Sequence, residues 1–186
     1  MRPQRGPQMA NNAPARIWVM RAAFPALALV IMFFHLLPLD TLPSRWAPPD
    51  LLLALVMAWS MRRPDYVPTL LIALTFLLAD LLFQRPPGLM ALLVVLACSF
   101  LKSQVQPHRE TAFIGEWVTV AIIITAVTLL NRLILAVLGV VQPSLGLILI
   151  QMVATLLIYP LVALASQSLL GVRKLSPAEA EALGSR

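Results

Sequence analysis

The chain has 186 residues, of which 60% are hydrophobic and only 12% are charged. A soluble domain has about 45–50% apolar and about 25% charged residues. Here the apolar residues form long runs with few charges, which are typical of membrane spans, and they lack the alternation of a transmembrane β-barrel. The composition therefore excludes an ordinary soluble enzyme and predicts an all-α integral membrane protein.

Fourteen Lys and Arg residues against eight acidic residues give a net charge of +6. The basic residues fall in predicted loops and tails, where they set the orientation of the chain and meet anionic lipid head groups. We therefore predict contact with membrane lipids and no nucleic-acid partner. The single cysteine, Cys98, has no partner for a disulfide within the chain, and we interpret it as a packing residue.

Six apolar runs predict a bundle of six transmembrane helices within residues 16–171. The predicted helices cover 17–37, 50–61, 66–83, 88–101, about 112–138, and 145–170 with a kink at Pro160. The second is the weakest, because its apolar run of 11 residues covers about half of the hydrocarbon core. Residues 1–15 are predicted to be a disordered tail, and residues 172–186 a short tail with a marginal helix over 177–183.

Six spans divide the basic residues unequally between the two sides of the membrane. Eleven fall on the side of the termini: Arg2, Arg5, Arg16, Arg21, Arg62, Arg63, Lys102, Arg109, Arg173, Lys174 and Arg186. Only Arg45 and Arg85 fall on the other side, and Arg132 lies within the fifth helix. Cytoplasmic loops carry the excess of Lys and Arg, so both termini are predicted to be cytoplasmic. Five spans would move Arg62 and Arg63 outside, which favours six.

Five polar residues are predicted to lie at membrane depth near the outer face: Asp50, Asp80, Asn131, Arg132 and Gln151. A lone charge in hydrocarbon costs at least about 2.5–3.5 kcal/mol, so such residues usually face inward and pair. We predict an ion pair between Asp80 and Arg132 with the others nearby; the alternative is that Arg132 reaches the head groups alone. The favoured role is a structural clasp, and the functional alternatives are a proton or substrate site or a partner-facing surface.

Arg62 and Arg63 are predicted to form a basic hairpin on the cytoplasmic face, close to Lys102. Lipid anchoring and topology are the favoured role, and docking to an acidic cytoplasmic partner is the alternative. Glu116 and Trp117 are predicted near the same interface, where a carboxylate suits a helix N-terminus and an indole suits the head groups.

The sequence carries no motif of a self-contained active site. It has no Cys/His cluster at metal-binding spacing, no Gly-rich phosphate loop and no Gly-x-Ser-x-Gly elbow. His35 and His108 are predicted to lie on opposite sides of the membrane. We predict no catalytic residue, no metal and no cofactor, and an enzyme of lipid or polyprenyl metabolism is the least favoured hypothesis.

Short motifs in residues 49–101 carry a family resemblance. The matching positions are Pro49, Asp50, Trp59, Arg63, Pro64, Asp80 and Gly88, the last opening the run Gly88-Leu89-Met90-Ala91-Leu92. On these residues the chain resembles the MreD family of bacterial rod-shape-determining proteins. Phe76 stands where family members usually carry a glycine, which implies different helix packing at that point.

The resemblance implies a fold similar to the substrate-binding subunits of energy-coupling-factor transporters. It also implies a non-catalytic component of the cell-elongation machinery in the inner membrane. The implied partners are an MreC-type bitopic membrane protein and, indirectly, MreB, RodA and a class B penicillin-binding protein. The alternative is a small-molecule-binding membrane subunit of a transporter. The sequence leaves the oligomeric state open, a homodimer included.

Overall fold

A computed structural model describes residues 12–37, 47–104 and 113–172, and within these ranges every regular element is a helix. The six long helices are α1 (Asn12–Leu36), α2 (Leu51–Arg62), α3 (Thr69–Leu82), α4 (Leu89–Gln104), α5 (Phe113–Val137) and α6 (Leu145–Leu170), and a short 3-10 helix, Pro64–Tyr66, precedes α3. The predicted six-helix bundle is therefore present, with the helices at the predicted places. The predicted disordered tail of residues 1–15 is wrong for its last four residues, because α1 already begins at Asn12. Residues 1–11 and the predicted C-terminal helix over 177–183 lie outside the described residues.

Three of the helices are long and apolar enough to cross a membrane. They are the part of α1 from Ala15 to Leu36, the whole of α5 and the whole of α6, judged by length and composition. Many of their large apolar side chains, such as Phe33, Ile122 and Leu157, are exposed on the outer surface of the bundle. These properties identify a membrane protein. The other helices, α2, α3 and α4, have only 12, 14 and 16 residues.

The shortest helix, α2, lies in the centre of the bundle. Residues 52–60 are all buried, and α2 contacts α1, α4, α5 and α6. Trp59 is fully buried, with its ring 5.8 Å from that of Phe24, and its indole N–H donates to Ser166 Oγ at 3.1 Å. A helix that is apolar on all sides is stable when protein surrounds it. Because protein and not lipid encloses α2, its short length does not have to match the bilayer.

Helix ends meet at two poles of the bundle. At one pole, which we call the cavity end, His35 of α1 packs 4.6 Å from Phe83 after α3. At the other, which we call the ion-pair end, Arg21 near the start of α1 donates to the carbonyl of Asp65, 3.0 Å away, between α2 and α3. The cavity end thus contains the C-termini of α1, α3 and α5 and the N-termini of α2, α4 and α6. This is the alternation predicted for six consecutive spans.

Pro160 interrupts the hydrogen bonding of α6, and a side chain of α5 compensates for it. Proline has no N–H, so the carbonyl of Leu156, four residues earlier, lacks its helical donor. The indole N–H of Trp117 donates to that carbonyl at 3.0 Å. Trp117, predicted as an interfacial anchor, therefore joins α5 to α6 where α6 is weakest. The kink at Pro160 stays a prediction.

Trp117→Phe is expected to destabilise the bundle by about 1 kcal/mol, because it leaves the Leu156 carbonyl without a donor. In a Pro160→Ala background the loss should be much smaller, since position 160 then supplies the helical N–H itself. The four proteins of this double-mutant cycle are compared by unfolding free energy in an SDS titration. Trp18→Phe, at an exposed position, is the control. An equal loss from Trp117→Phe in both backgrounds would contradict this role.

Candidate functional site

A cavity of about 310 Å³ lies at the cavity end, beyond the N-terminus of α2. Its walls come from the end of α5, the start of α6 and the turn between α3 and α4. Four of the five residues of the predicted polar cluster line it: Asp50, Asn131, Arg132 and Gln151. The structure thus brings these four side chains together, and it places the fifth, Asp80, outside the lining.

The floor of the cavity is built by the start of α2. Asp50 accepts the N–H of Leu53 at 2.9 Å through Oδ1, which caps the helix. The backbone N–H of Asp50 donates to Thr155 Oγ1 at 2.9 Å, and Thr155 in turn donates to the carbonyl of Gln151 at 2.7 Å. Because α2 begins beside the middle of α6, the short central helix leaves space between its N-terminus and the end of the bundle. That space is the cavity.

The opposite wall is fixed by bonds across the turn between α5 and α6. Arg132 Nη1 donates to the carbonyl of Pro143 at 3.1 Å, and Gln142 Nε2 donates to the carbonyl of Arg132 at 3.1 Å. These two bonds hold the last turns of α5 against the start of α6. The shape of this wall is therefore held by bonds within the chain itself.

The predicted ion pair between Asp80 and Arg132 is not formed. Asp80 Oδ2 instead accepts the backbone N–H groups of Gly88 and Ala91, at 3.0 and 3.2 Å. The first N–H groups of a helix have no partner within it and form its positive end, so a carboxylate satisfies them. Asp80 is thus the cap of α4, provided by the helix before it.

Gly88 completes the capped turn. Its φ of +88° is a conformation that residues with a side chain rarely adopt, which explains a glycine here. Two positions of the family motif, Asp80 and Gly88, therefore contact each other. The second carboxylate oxygen of Asp80, Oδ1, is buried and has no hydrogen-bond partner in the described part of the chain.

At the ion-pair end, a buried network joins α2, α5 and α6. Arg62 Nε lies 2.8 Å from Glu116 Oε1, and both side chains are buried. Arg62 Nη1 also donates to the carbonyl of Ala163 and to Gln167 Oε1, at 3.1 and 3.2 Å. Tyr159 donates its hydroxyl to Glu116 Oε1 at 2.9 Å. Three helices are thereby fastened through one pair of opposite charges.

The network corrects the prediction of a basic hairpin. Arg62 is only 4% exposed, because α2 is enclosed by other helices up to its last turn. Arg63 is half-buried, with its guanidinium 5.7 Å from the ring centre of Tyr66. Glu116, predicted at the interface, is fully buried. Of the nearby basic residues, Lys102 donates to the carbonyl of Val67, and Arg109, Arg173 and Lys174 lie outside the described residues.

Sequence reasoning did not find this network, although one signal was present. Arg62 and Glu116 carry opposite charges and are both predicted near the cytoplasmic face, at the end of the second helix and the start of the fifth. Because both side chains were predicted to face water, no pairing between them was predicted. Tyr159 and Gln167 give no signal in the sequence, because their part in the network depends on how α6 packs against α2.

The remaining motif positions have structural roles at the ends of α2. The carbonyl of Pro49 accepts the N–H of Leu51 at 3.0 Å just before the helix. The carbonyl of Trp59 accepts the N–H of Arg63 at 2.8 Å at its end, and Pro64 opens the 3-10 helix that follows. The motif thus maps onto the ends and core of α2 and the turn from α3 to α4.

Neither a family model nor a curated protein nor a solved structure matches this chain. Residues 12–37, 47–104 and 113–172 contain no group of three side chains placed to hold a metal ion. Cys98 is buried, as expected of a packing residue, and His108 lies outside these ranges. The polar residues of the described chain thus form two sites: the Arg62–Glu116 network joins three helices at the ion-pair end, and the other site is the polar cavity at the cavity end.

Proposed function

We propose that this protein is a non-catalytic component of the bacterial cell-elongation machinery, with six spans in the inner membrane and both termini in the cytoplasm. It joins an MreC-type bitopic protein and, through it, connects MreB with RodA and a class B penicillin-binding protein. In this proposal it positions its partners in the membrane, and the partners carry out peptidoglycan synthesis.

The observation that supports this proposal is the place of the motif residues in the fold. Asp80 caps α4, Gly88 makes the turn before it, Asp50 caps α2 and Trp59 fills the core. Each of these residues fixes the shape of the central helices, and their hydrogen bonds are to groups of this chain. A motif that preserves shape is what a scaffold requires, because its partners recognise a fixed surface.

A second candidate function is a small-molecule-binding membrane subunit of a transporter. The cavity supports it, since a concave space with a few convergent polar groups is typical of ligand sites. The scaffold is preferred because Asp50 is the only one of the seven motif positions that lines this cavity. The genes beside this one discriminate: a single-span periplasmic protein favours the scaffold, and a pair of ATPases favours the transporter.

Depletion of the protein in its native rod-shaped bacterium is expected to turn the cells round while growth in mass continues. Re-expression of the wild-type chain should restore rods, and an affinity-tagged copy should retain the MreC-type protein from detergent-solubilised membranes. Microscopy of cell length and width provides the measurement. A membrane protein of similar length without the motif is the control for expression load. Rods of unchanged shape after full depletion would refute the proposal.

A further inference from the structure

The cavity at the cavity end has a net positive lining. Its charged side chains are Arg85, Arg132 and Asp50. The carboxylate of Asp80, outside the lining, attracts Arg85 but is itself bound to two N–H groups at the start of α4. The carboxylate of Asp50 is partly engaged already, by the N–H of Leu53. The N-terminus of α6 adds positive potential on the same side, because its cap residue Ser144 makes no side-chain hydrogen bond to it. A ligand with negative charge is therefore favoured.

The lining also holds hydrogen-bond donors that the described chain does not use. Arg132 uses one of its five N–H donors in a hydrogen bond to the carbonyl of Pro143. The guanidinium of Arg85 lies 5.1 Å from the ring centre of Phe83 and makes no side-chain hydrogen bond within the described ranges. The same is true of the half-buried amides of Asn131 and Gln151. Several unused donors around one space select a ligand rich in acceptor oxygens.

Apolar surface adjoins these polar groups. Leu135, Ile148 and Met152 line the cavity together with them. The sequence neighbours Leu133 and Leu149 are exposed on the outer surfaces of α5 and α6. A polar space whose walls pass into exposed apolar helix faces suits a molecule with a charged head and a hydrocarbon tail.

We propose that this cavity binds the phosphate group of an anionic amphiphile. Arg132 and Arg85 contact the phosphate oxygens, because a guanidinium matches phosphate in charge and in the geometry of its donors. Asn131 and Gln151 donate to further oxygens, and the second oxygen of Asp50 accepts from hydroxyl groups of the head. The site goes beyond the proposed function, and its binding can be tested on the purified protein whether or not the cell-shape experiment succeeds.

The test uses the full chain, purified and delipidated in detergent, with ligand binding followed by native mass spectrometry. The probes are phosphatidylglycerol, the zwitterionic phosphatidylcholine, and glycerol 3-phosphate without acyl chains. We expect phosphatidylglycerol to bind in preference to phosphatidylcholine, and Arg132→Gln to weaken its binding about tenfold or more, as expected for loss of a hydrogen bond between charged groups. Arg132→Lys, which keeps the charge, should lose less.

Arg16→Gln removes one positive charge at the ion-pair end and should leave binding unchanged; its parent side chain is exposed. If Arg132→Gln fails to fold, Arg85→Gln decides the question, because the Arg85 side chain donates no hydrogen bond to the described chain. Glycerol 3-phosphate binding as tightly as the lipid would overturn the assignment to an amphiphile, because the acyl chains would then contribute nothing to binding. Equal binding of both phospholipids, unchanged binding by the arginine variants, or a co-purified polypeptide in place of lipid would overturn the proposal.

Discussion

Glu116→Ala is expected to lower the free energy of unfolding by about 3–5 kcal/mol. Its carboxylate is the partner of Arg62 at 2.8 Å, and both side chains are buried. Without it, the guanidinium remains inside the bundle as an uncompensated charge, and the hydroxyl of Tyr159 loses its acceptor. Removing one member of a buried pair is far more damaging than removing a surface charge, which changes stability by less than about 1 kcal/mol.

The decisive comparison is between single and double variants. Arg62→Met and Glu116→Leu should each be strongly destabilising, whereas the two together should lose much less than the sum of the single losses, because no buried charge is left unpaired. The remaining loss comes from the Tyr159 hydroxyl, which still lacks its acceptor. Unfolding free energies from SDS titration of the four proteins give the coupling energy directly. Arg16→Met, at an exposed position, is the matched control. Additive effects of the two single changes would show that the pair does not hold these helices together.

The second large effect is expected from Asp80→Ala, which should lower the free energy of unfolding by about 2–4 kcal/mol. This change removes the cap of α4 and leaves the N–H groups of Gly88 and Ala91 without their acceptor. Asp80→Asn should be milder, because its amide oxygen still accepts a hydrogen bond. Hydrogen exchange of the Gly88 and Ala91 amides should accelerate in Asp80→Ala before exchange rises elsewhere, which localises the damage to the start of α4.

Two controls separate this role from the ion pair that the sequence suggested. Asp65→Ala removes an aspartate at the ion-pair end and should have little effect. Arg132→Ala should leave exchange at Gly88 and Ala91 unchanged, since Arg132 bonds to Pro143 instead. If Arg132→Ala accelerated exchange at those amides as much as Asp80→Ala does, the capping role would be wrong.

The helices could be predicted from the sequence because each apolar run is bounded by polar residues, Pro or Gly. The six observed helices follow those runs, and even the short α2 lies where its apolar run predicts. The reason that α2 is short could not be predicted. Its surroundings come from helices distant in sequence, and only the packed bundle shows that protein encloses it on every side.

The polar sites were harder to predict, because their partners are set by packing and not by spacing. Arg62 follows an apolar run and looks like an exposed loop residue, yet its partner Glu116 lies 54 residues further along the chain. Asp80 looks like a partner for the nearest intramembrane arginine. Its actual partners are the backbone N–H groups of residues 88 and 91, which cannot be predicted from a pattern of side chains. The sequence did contain one indication of this cap: Asp80 is followed by a short turn that ends at Gly88, where the next helix begins.

The cavity and the length of α2 are connected. Because α2 begins at Leu51, beside Thr155 near the middle of α6, the centre of the bundle is unfilled towards the cavity end. A longer central helix would fill this space with its own side chains. The short apolar run of α2, which looked like a weak span, is therefore the feature that creates the candidate binding site.

The proposed function requires that all six helices cross the membrane, with the ion-pair end in the cytoplasm. It is tested by introducing single cysteines into a Cys98→Ser background, which removes the one native cysteine. The sites are Asp65, between α2 and α3 at the ion-pair end, and Pro87 and Val141, which follow α3 and α5 at the cavity end. An impermeant thiol reagent applied to spheroplasts should label Pro87→Cys and Val141→Cys and should reach Asp65→Cys only after the membrane is opened. Labelling of Asp65→Cys and Pro87→Cys from the same side would show that α3 does not cross, and would contradict the account.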